Sequence, residues 1–134
     1  MKRHAGPQRR GALTVEFALV IPLFFLLLFG TIEFSRMNML RHSTASAAYE
    51  GARTALVLGA TADDVRSRAT AILGAVGVTL AAEDVQVTPA TLRNATPEVT
   101  VTVTVPLSDH FWITPRFLGA GVVRSSFTLQ RDRL

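Results

Sequence analysis

The stretch FALVIPLFFLLLF, residues 17–29, contains no polar side chain and decides what kind of protein this is. Extended to 11–32, the segment has 22 residues, and a helix of that length rises about 33 Å, enough to cross the hydrocarbon core of a bilayer. We therefore expect a transmembrane helix over residues 12–33. A chain of 134 residues leaves room for only one small domain beside it.

The basic charge of the chain lies at its N-terminus. Four positive side chains precede every acidic residue: Lys2, Arg3, Arg9 and Arg10. From Gly11 onward ten arginines balance ten acidic residues, so the net charge of +4 comes from this leader. Positive charge beside the start of a span holds that end in the cytoplasm. We expect a single-pass protein of the cytoplasmic (inner) membrane with its C-terminal region in the periplasm or outside the cell, and no nucleic-acid partner.

Catalytic and metal-binding chemistry has little support in the sequence. There is no cysteine, which excludes disulfides and Cys-ligated metals. The chain has no glycine-rich phosphate loop, no nucleophile motif and no His/Asp/Glu cluster with ligand spacing, since the pair Asp109 and His110 is too small for a metal site. We expect neither an enzyme nor a cofactor.

Three interpretations compete for the first 32 residues: a removed secretory signal, an uncleaved anchor and a prepilin leader cut before the apolar stretch. A secretory signal ends in a small-residue cleavage site, and the sequence GTIEFSRMNML after Phe29 does not contain one. The prepilin interpretation rests on Gly11, which ends a short basic leader, and on Glu16 five residues later inside an apolar segment.

Glu16 is the least expected residue of the span. An ionised carboxylate in hydrocarbon costs about 3 kcal/mol or more, so it usually has a partner or a function. If the bond after Gly11 is cut, Ala12 gains a free amine one helical turn from Glu16, and in an assembly that amine can neutralise a neighbour's carboxylate. Alternatively, Glu16 reaches the headgroups and needs no partner. Glu33 marks the outer end of the span, where a carboxylate is easily hydrated.

The segment from Arg9 to Leu56 resembles the TadE-like family of minor pilins, or pseudopilins, of tight-adherence (Flp, type IVc) pilus systems. Its first part, RRGALTVEFALVIPLFFLLLFGTIEFSR, is similar to that family's signature, and the later run SAAYEGARTAL is similar to its small-residue helix. The resemblance implies cleavage by a prepilin peptidase between Gly11 and Ala12. It also implies incorporation through Glu16, with Phe17 and Pro22 in the same assembly segment.

A further helix is expected to continue from the span. Thr31 to Leu58 contains no proline, and Gly59 follows it as a stop signal. Apolar residues at helical spacing predict one buried face: Phe34, Met37, Ala45, Ala48, Ala52 and Leu56. Small side chains are dense from Ser43 to Ala52 and permit close approach. Whether the chain's own sheet or a neighbouring subunit approaches is left open by the residues.

The rest of the chain predicts a short second helix and about three antiparallel strands. Thr61 with two following aspartates indicates an N-cap, and Gly74 a helix end. Strands are predicted around Val85–Val87, over the Val/Thr alternation of Val99–Val105, and over Val122–Arg131. The fold class is therefore α+β.

The connection from Leu107 to Gly121 is apolar for a loop. It contains Phe111, Trp112, Ile113, Phe117 and Leu118. These residues cover the open end of the sheet, form an adhesive or subunit-contact surface, or rest on the membrane before assembly.

Three regions follow from these observations: a basic leader at 1–11, a transmembrane helix at 12–33, and an exported pilin-like α+β domain at 34–134. The expected function is that of a minor pilin in tight-adherence pilus assembly for surface adhesion. Its partners are expected to be other pilin subunits, a prepilin peptidase, the assembly platform of the inner membrane and the lipid bilayer. The alternative is an uncleaved, membrane-anchored envelope module that does not polymerise.

Overall fold

One long helix dominates the secondary structure. The computed structural model describes residues 10–93, 96–108 and 121–130. Its helices and strands are α1 (Arg10–Ala55), α2 (Ala62–Gly74), β1 (Val85–Thr88), β2 (Glu98–Pro106) and β3 (Val122–Gln130). This confirms the α+β prediction with a long N-terminal helix, a short second helix and three strands. The chain divides into two compact units, Met1–Ser35 and Arg36–Leu134.

Helix α1 has 46 residues and contains Pro22. It ends at Ala55, three residues before the predicted end. The turn after it begins with shorter-range bonds, from the N–H of Leu56 to the carbonyl of Arg53 at 3.2 Å and from Val57 to Thr54 at 3.1 Å. Gly59 then adopts a φ of +81°, a conformation that favours glycine. The hydrogen bonds therefore change to the shorter i to i−3 pattern after Ala55, and α1 ends before Gly59.

Helix α2 begins with the predicted cap. The Thr61 hydroxyl accepts a hydrogen bond from the Asp64 N–H at 3.2 Å, and the Asp64 carboxylate accepts one from the Thr61 N–H at 2.8 Å. This reciprocal pair is a capping box, which satisfies backbone donors that the first turn leaves unpaired. At the other end the Val78 N–H donates to the Leu73 carbonyl at 3.0 Å, with Gly77 at a φ of +78°.

The cap makes the stability of the domain depend on pH. Hydrogen bonds from the hydroxyl and then the N–H of Thr61 lower the pKa of the Asp64 carboxyl. An Asp in the unfolded chain has a pKa of about 3.9 and binds a proton more readily than Asp64 does in the folded domain. The stabilisation that the ionised Asp64 gives the fold is therefore complete above the unfolded pKa, and it is lost as the pH falls through the folded pKa. We expect Asp64→Asn to flatten the acid side of the unfolding midpoint plotted against pH, measured by circular dichroism.

A matched control lies one residue earlier. Asp63 forms an exposed ion pair with Arg66 at 2.7 Å and takes no part in the capping box. In the Asp63→Asn variant the unfolding midpoint is expected to decrease at acid pH as it does in the wild type, because Asp64 is still present. Equal slopes for the wild type and Asp64→Asn below pH 4 would contradict the assignment.

The three strands form one antiparallel sheet in the order β1-β2-β3. Central strand β2 aligns Val101 with Val87 on one side and with Phe127 on the other. The predicted alternation is confirmed on the apolar face, where Val99, Val101, Val103 and Val105 are buried. On the opposite face Thr102 is also buried, because strands flank it on both sides and its hydroxyl bonds that of Ser126 at 3.0 Å.

The core of the second unit joins residues of α1, α2 and the sheet. Five small or medium side chains of α1 are buried in it: Leu40, Ala47, Ala48, Ala52 and Ala55. Thr44 is also buried, and its hydroxyl donates to the Leu40 carbonyl at 2.7 Å. Val65, Ala69 and Leu73 bury one face of α2. The helices therefore cover the valine face of the sheet.

Candidate functional site

The predicted cleavage site lies in α1. The described part of the helix starts at Arg10, so Gly11 and Ala12 are both helical. Both residues are exposed. A peptidase that needs an extended substrate would have to unwind the helix locally at this bond.

Glu16 lies four residues after Ala12 on the same side of α1, since side chains at i and i+4 share a helix face. Its neighbours Val15 and Phe17 are apolar and exposed. The Glu16 carboxylate makes no hydrogen bond or ion pair within the described part of the chain. Among the described residues, Glu16 is thus an acidic group on an apolar surface without a cationic partner.

The apolar surface around Glu16 continues along α1. Between Leu13 and Ile32 the large apolar side chains are exposed, Phe17 among them. Phe25 contacts two other rings, Phe24 with centroids at 5.9 Å and Phe29 at 6.0 Å. The helix continues without interruption through Pro22. By length and composition this is the one helix, among the residues described, that is able to cross a membrane.

The polar residues at the outer end of the apolar stretch, Thr31 and Glu33, both interact within the chain. The Thr31 hydroxyl donates to the Leu27 carbonyl at 2.8 Å, so it presents no unsatisfied donor to lipid. Glu33 is half-buried and is engaged in an interaction of its own. Glu33 and Glu16 therefore differ within the described part of the chain, where Glu33 has an interaction and Glu16 has none.

The small-residue segment of α1 packs on the chain's own domain. A Cβ placed on Gly51 would lie 3.3 Å from the Cγ1 atoms of both Val101 and Val65, so α1 approaches β2 and α2 closely there. The predicted buried face was partly wrong. Ala48 and Ala52 are buried as expected, whereas Phe34 is 73% exposed. The intrachain alternative for these small residues is therefore correct, at least for the face that carries Gly51.

Two predicted features lie outside the described residues. These are the leader side chains Lys2, Arg3 and Arg9, and the apolar loop residues between 109 and 120. Arg10 starts α1, but its side chain is also not among those described. Within the described ranges, no three His, Asp or Glu side chains come together as a metal site would require.

A cavity between α1 and β3 was not predicted from the sequence. Its volume is about 310 Å³, and two arginines line it, Arg41 from α1 and Arg124 from β3. The two residues lie far apart in the chain, so only the strand order and register bring them together. Sequence patterns carried no signal for this pairing.

Comparison with protein families gives one match. Residues 11–53 match the family described as TadE-like protein. The matched segment runs from the predicted cleavage site along α1 to the residue before Thr54, and it includes Glu16 and Gly51. No curated protein and no solved structure matches the chain. The chain therefore carries a TadE-like N-terminal region, which confirms the resemblance seen in the sequence.

Proposed function

We propose that this protein is a minor pilin, or pseudopilin, that takes part in assembling a tight-adherence (type IVc) pilus for surface adhesion. The observation that carries the proposal is the TadE-like match over residues 11–53, which covers the span and its acidic residue. Its role is structural, without catalysis or a cofactor. Before assembly, α1 holds the subunit in the inner membrane with the basic leader in the cytoplasm and the α+β domain outside.

Assembly would follow cleavage between Gly11 and Ala12 by a prepilin peptidase. The new amine of Ala12 is a cation, and the Glu16 carboxylate of another subunit is its partner. Phe17 and Pro22 belong to the same packing surface. Because hydrocarbon strengthens the attraction between opposite charges and disfavours either charge alone, the bilayer itself favours association. The partners would be other pilin subunits and the assembly platform of the inner membrane.

A second candidate is an envelope accessory protein that keeps its leader and does not polymerise. The helical conformation of Gly11 and Ala12 favours it, because the predicted scissile bond must be unwound before a peptidase can act. In this case Glu16 would reach the headgroup region and remain without a protein partner.

Intact-mass measurement of the membrane-extracted protein, with the prepilin peptidase co-expressed, separates the two candidates. We expect the mature chain to begin at Ala12, having lost the eleven residues of the leader. Gly11→Leu is expected to stay uncleaved because a bulky side chain beside the scissile bond obstructs the peptidase. Gly6→Leu places the same side chain elsewhere in the leader and should be cleaved normally.

Retention of Met1 in the wild-type protein, while the same peptidase processes another prepilin in the same cells, would overturn the pilin proposal. Co-purification from membranes gives a second readout. The processed protein should bring other prepilin-like subunits with it, whereas an accessory module would not.

A further inference from the structure

The two outer strands of the described sheet lie at matching levels. β1 and β3 are both antiparallel to β2, so they run in the same direction at opposite edges of the sheet. The register aligns Val85 of β1 and Ser125 of β3 with the same residue of β2, Val103. The residues that precede them, Asp84 and Arg124, therefore lie at one level of the sheet and at opposite edges.

The two edges carry opposite charges at this level. A 3₁₀ turn, Ala82–Asp84, leads into β1 and contains two carboxylates, of which Glu83 is exposed and Asp84 is half-buried. At the other edge Arg124 is exposed and is the one charged residue of β3. Arg41 of α1 is also exposed and lines the same cavity as Arg124. By its described residues, the β1 edge is acidic at this level and the β3 edge is basic.

The basic edge also exposes apolar surface. Val85 and Val87 of β1 are buried, whereas Phe127 of β3 is 38% exposed. Its ring contacts that of Tyr49 from α1, with the two centroids 5.4 Å apart, and Tyr49 is 42% exposed. The two helices therefore cover β1 more completely than β3. An edge strand with a partly exposed apolar face is a surface that another chain can contact.

We propose that the β3 edge of one copy of this chain docks against the β1 edge of a second copy, with Arg41 and Arg124 facing Glu83 and Asp84. Contact between two like edges would place charges of the same sign together, so only unlike edges attract each other. Such a contact uses a different surface on each copy and can repeat, which produces a row of subunits. The contact goes beyond the proposed function, because it needs neither cleavage of the leader nor Glu16.

Thiol cross-linking of the full chain in membranes tests the contact, because the chain has no cysteine of its own. Gln86 of β1 and Ser126 of β3 are exposed and both align with Thr102. Copies with Gln86→Cys and differently tagged copies with Ser126→Cys are produced together and treated with a short bis-maleimide. We expect a cross-linked dimer that carries both tags. Each variant produced alone should give none, because the contact joins unlike edges.

Charge reversal in the same cross-linking pair tests which groups hold the edges together. Arg124→Glu in every copy should reduce the dimer at least about tenfold, because a carboxylate then faces carboxylates. Glu83→Arg should reduce it in the same direction. With both substitutions in every copy, opposite charges face each other again, and we expect about half of the dimer or more to return. Asp84 is left unchanged because its carboxylate accepts a hydrogen bond from the Ala81 N–H at 2.9 Å.

A matched control pairs Ser126→Cys with Ser46→Cys, which is exposed on α1 and belongs to neither edge. Equal cross-linking by this pair would overturn the proposal, since it would show only that copies are crowded in the membrane. Dimers from Ser126→Cys alone would show that two β3 edges meet instead.

The combined reversal decides whether charge joins the edges. If it restores no dimer, although circular dichroism shows the extracted variants to be folded, the charged residues do not form the contact. Arg124→Gln replaces Arg124→Glu if the latter does not fold, and we expect a smaller reduction from it. Cross-linked products with a mass other than that of two copies would assign the edges to a different subunit. Retention of Met1 would leave this contact unaffected, so the pilin proposal and the edge contact fail separately.

Discussion

Glu16→Gln is expected to leave the protein in the membrane and to reduce pilus assembly by roughly a hundredfold. A carboxylate in the membrane costs the isolated subunit about 3 kcal/mol, and in the proposed assembly pairing with the Ala12 amine of another subunit removes that cost. Glutamine has nearly the same shape but no charge, so the driving force disappears. Because each 1.4 kcal/mol is a factor of ten, 3 kcal/mol corresponds to about a hundredfold in the association constant.

The measurement is the amount of pilus sheared from cells in which the variant replaces the wild-type gene. Immunoblots of the membrane fraction check that the variant is inserted and processed. Glu33→Gln is the matched control, because it removes the charge at the outer end of the span from a residue that already interacts within its own chain. We expect normal pili from it. Wild-type amounts of pilus from Glu16→Gln would favour the alternative in which Glu16 reaches the headgroups.

Local sequence signals predicted the ends of α2 and the buried face of β2. Thr61 and Asp64 form their capping box from residues three positions apart, so the sequence alone contains the whole motif. The Val/Thr alternation of β2 identified the buried face because side chains of a strand alternate between faces. The segment from Gly11 to Glu33 was also predictable as a helix long and apolar enough to cross a membrane, because that prediction needs only a continuous apolar run.

Tertiary contacts decided what the sequence could not. Between Ser43 and Ala52 small side chains occupy most sides of α1, so hydrophobic periodicity identified Ala48 and Ala52 as buried but missed Ala47 and Gly51. Contact with β2 and α2 selects the side that carries Ala47 and Gly51. The end of α1 was misjudged for a related reason, because Leu56 to Leu58 are compatible with a helix until the chain must turn toward α2.

Packing of this side of α1 within the chain predicts a large effect at Gly51. The cavity available there is smaller than a side chain, because even a Cβ would lie 3.3 Å from atoms of both Val65 and Val101. Gly51→Leu adds three further carbon atoms to a buried position. Such overpacking costs about 3 kcal/mol, which for a domain of this size lowers the unfolding midpoint by about 12 °C or more.

Two comparisons make the measurement specific. Ser46→Leu places the same side chain on an exposed position of α1 and should leave the midpoint unchanged. In Gly51→Ala, the higher helix propensity of alanine stabilises α1 by up to about 1 kcal/mol, while the close contacts of the added Cβ destabilise the fold. Because the two effects oppose each other, we expect the free energy of unfolding to stay within about 1 kcal/mol of the wild type. Thermal unfolding is followed by circular dichroism on the full chain in detergent, under conditions in which it is monomeric.

The monomer is the informative state. If the small residues of α1 contacted only a neighbouring subunit, Gly51→Leu would unfold at the wild-type temperature as a monomer and would fail only in assembly. A lower midpoint in the monomer instead places the defect inside the subunit, where Gly51 faces its own β2 and α2. In that case the surface available for contacts between subunits must come from other residues, and the apolar stretch around Glu16 is the largest such surface on α1.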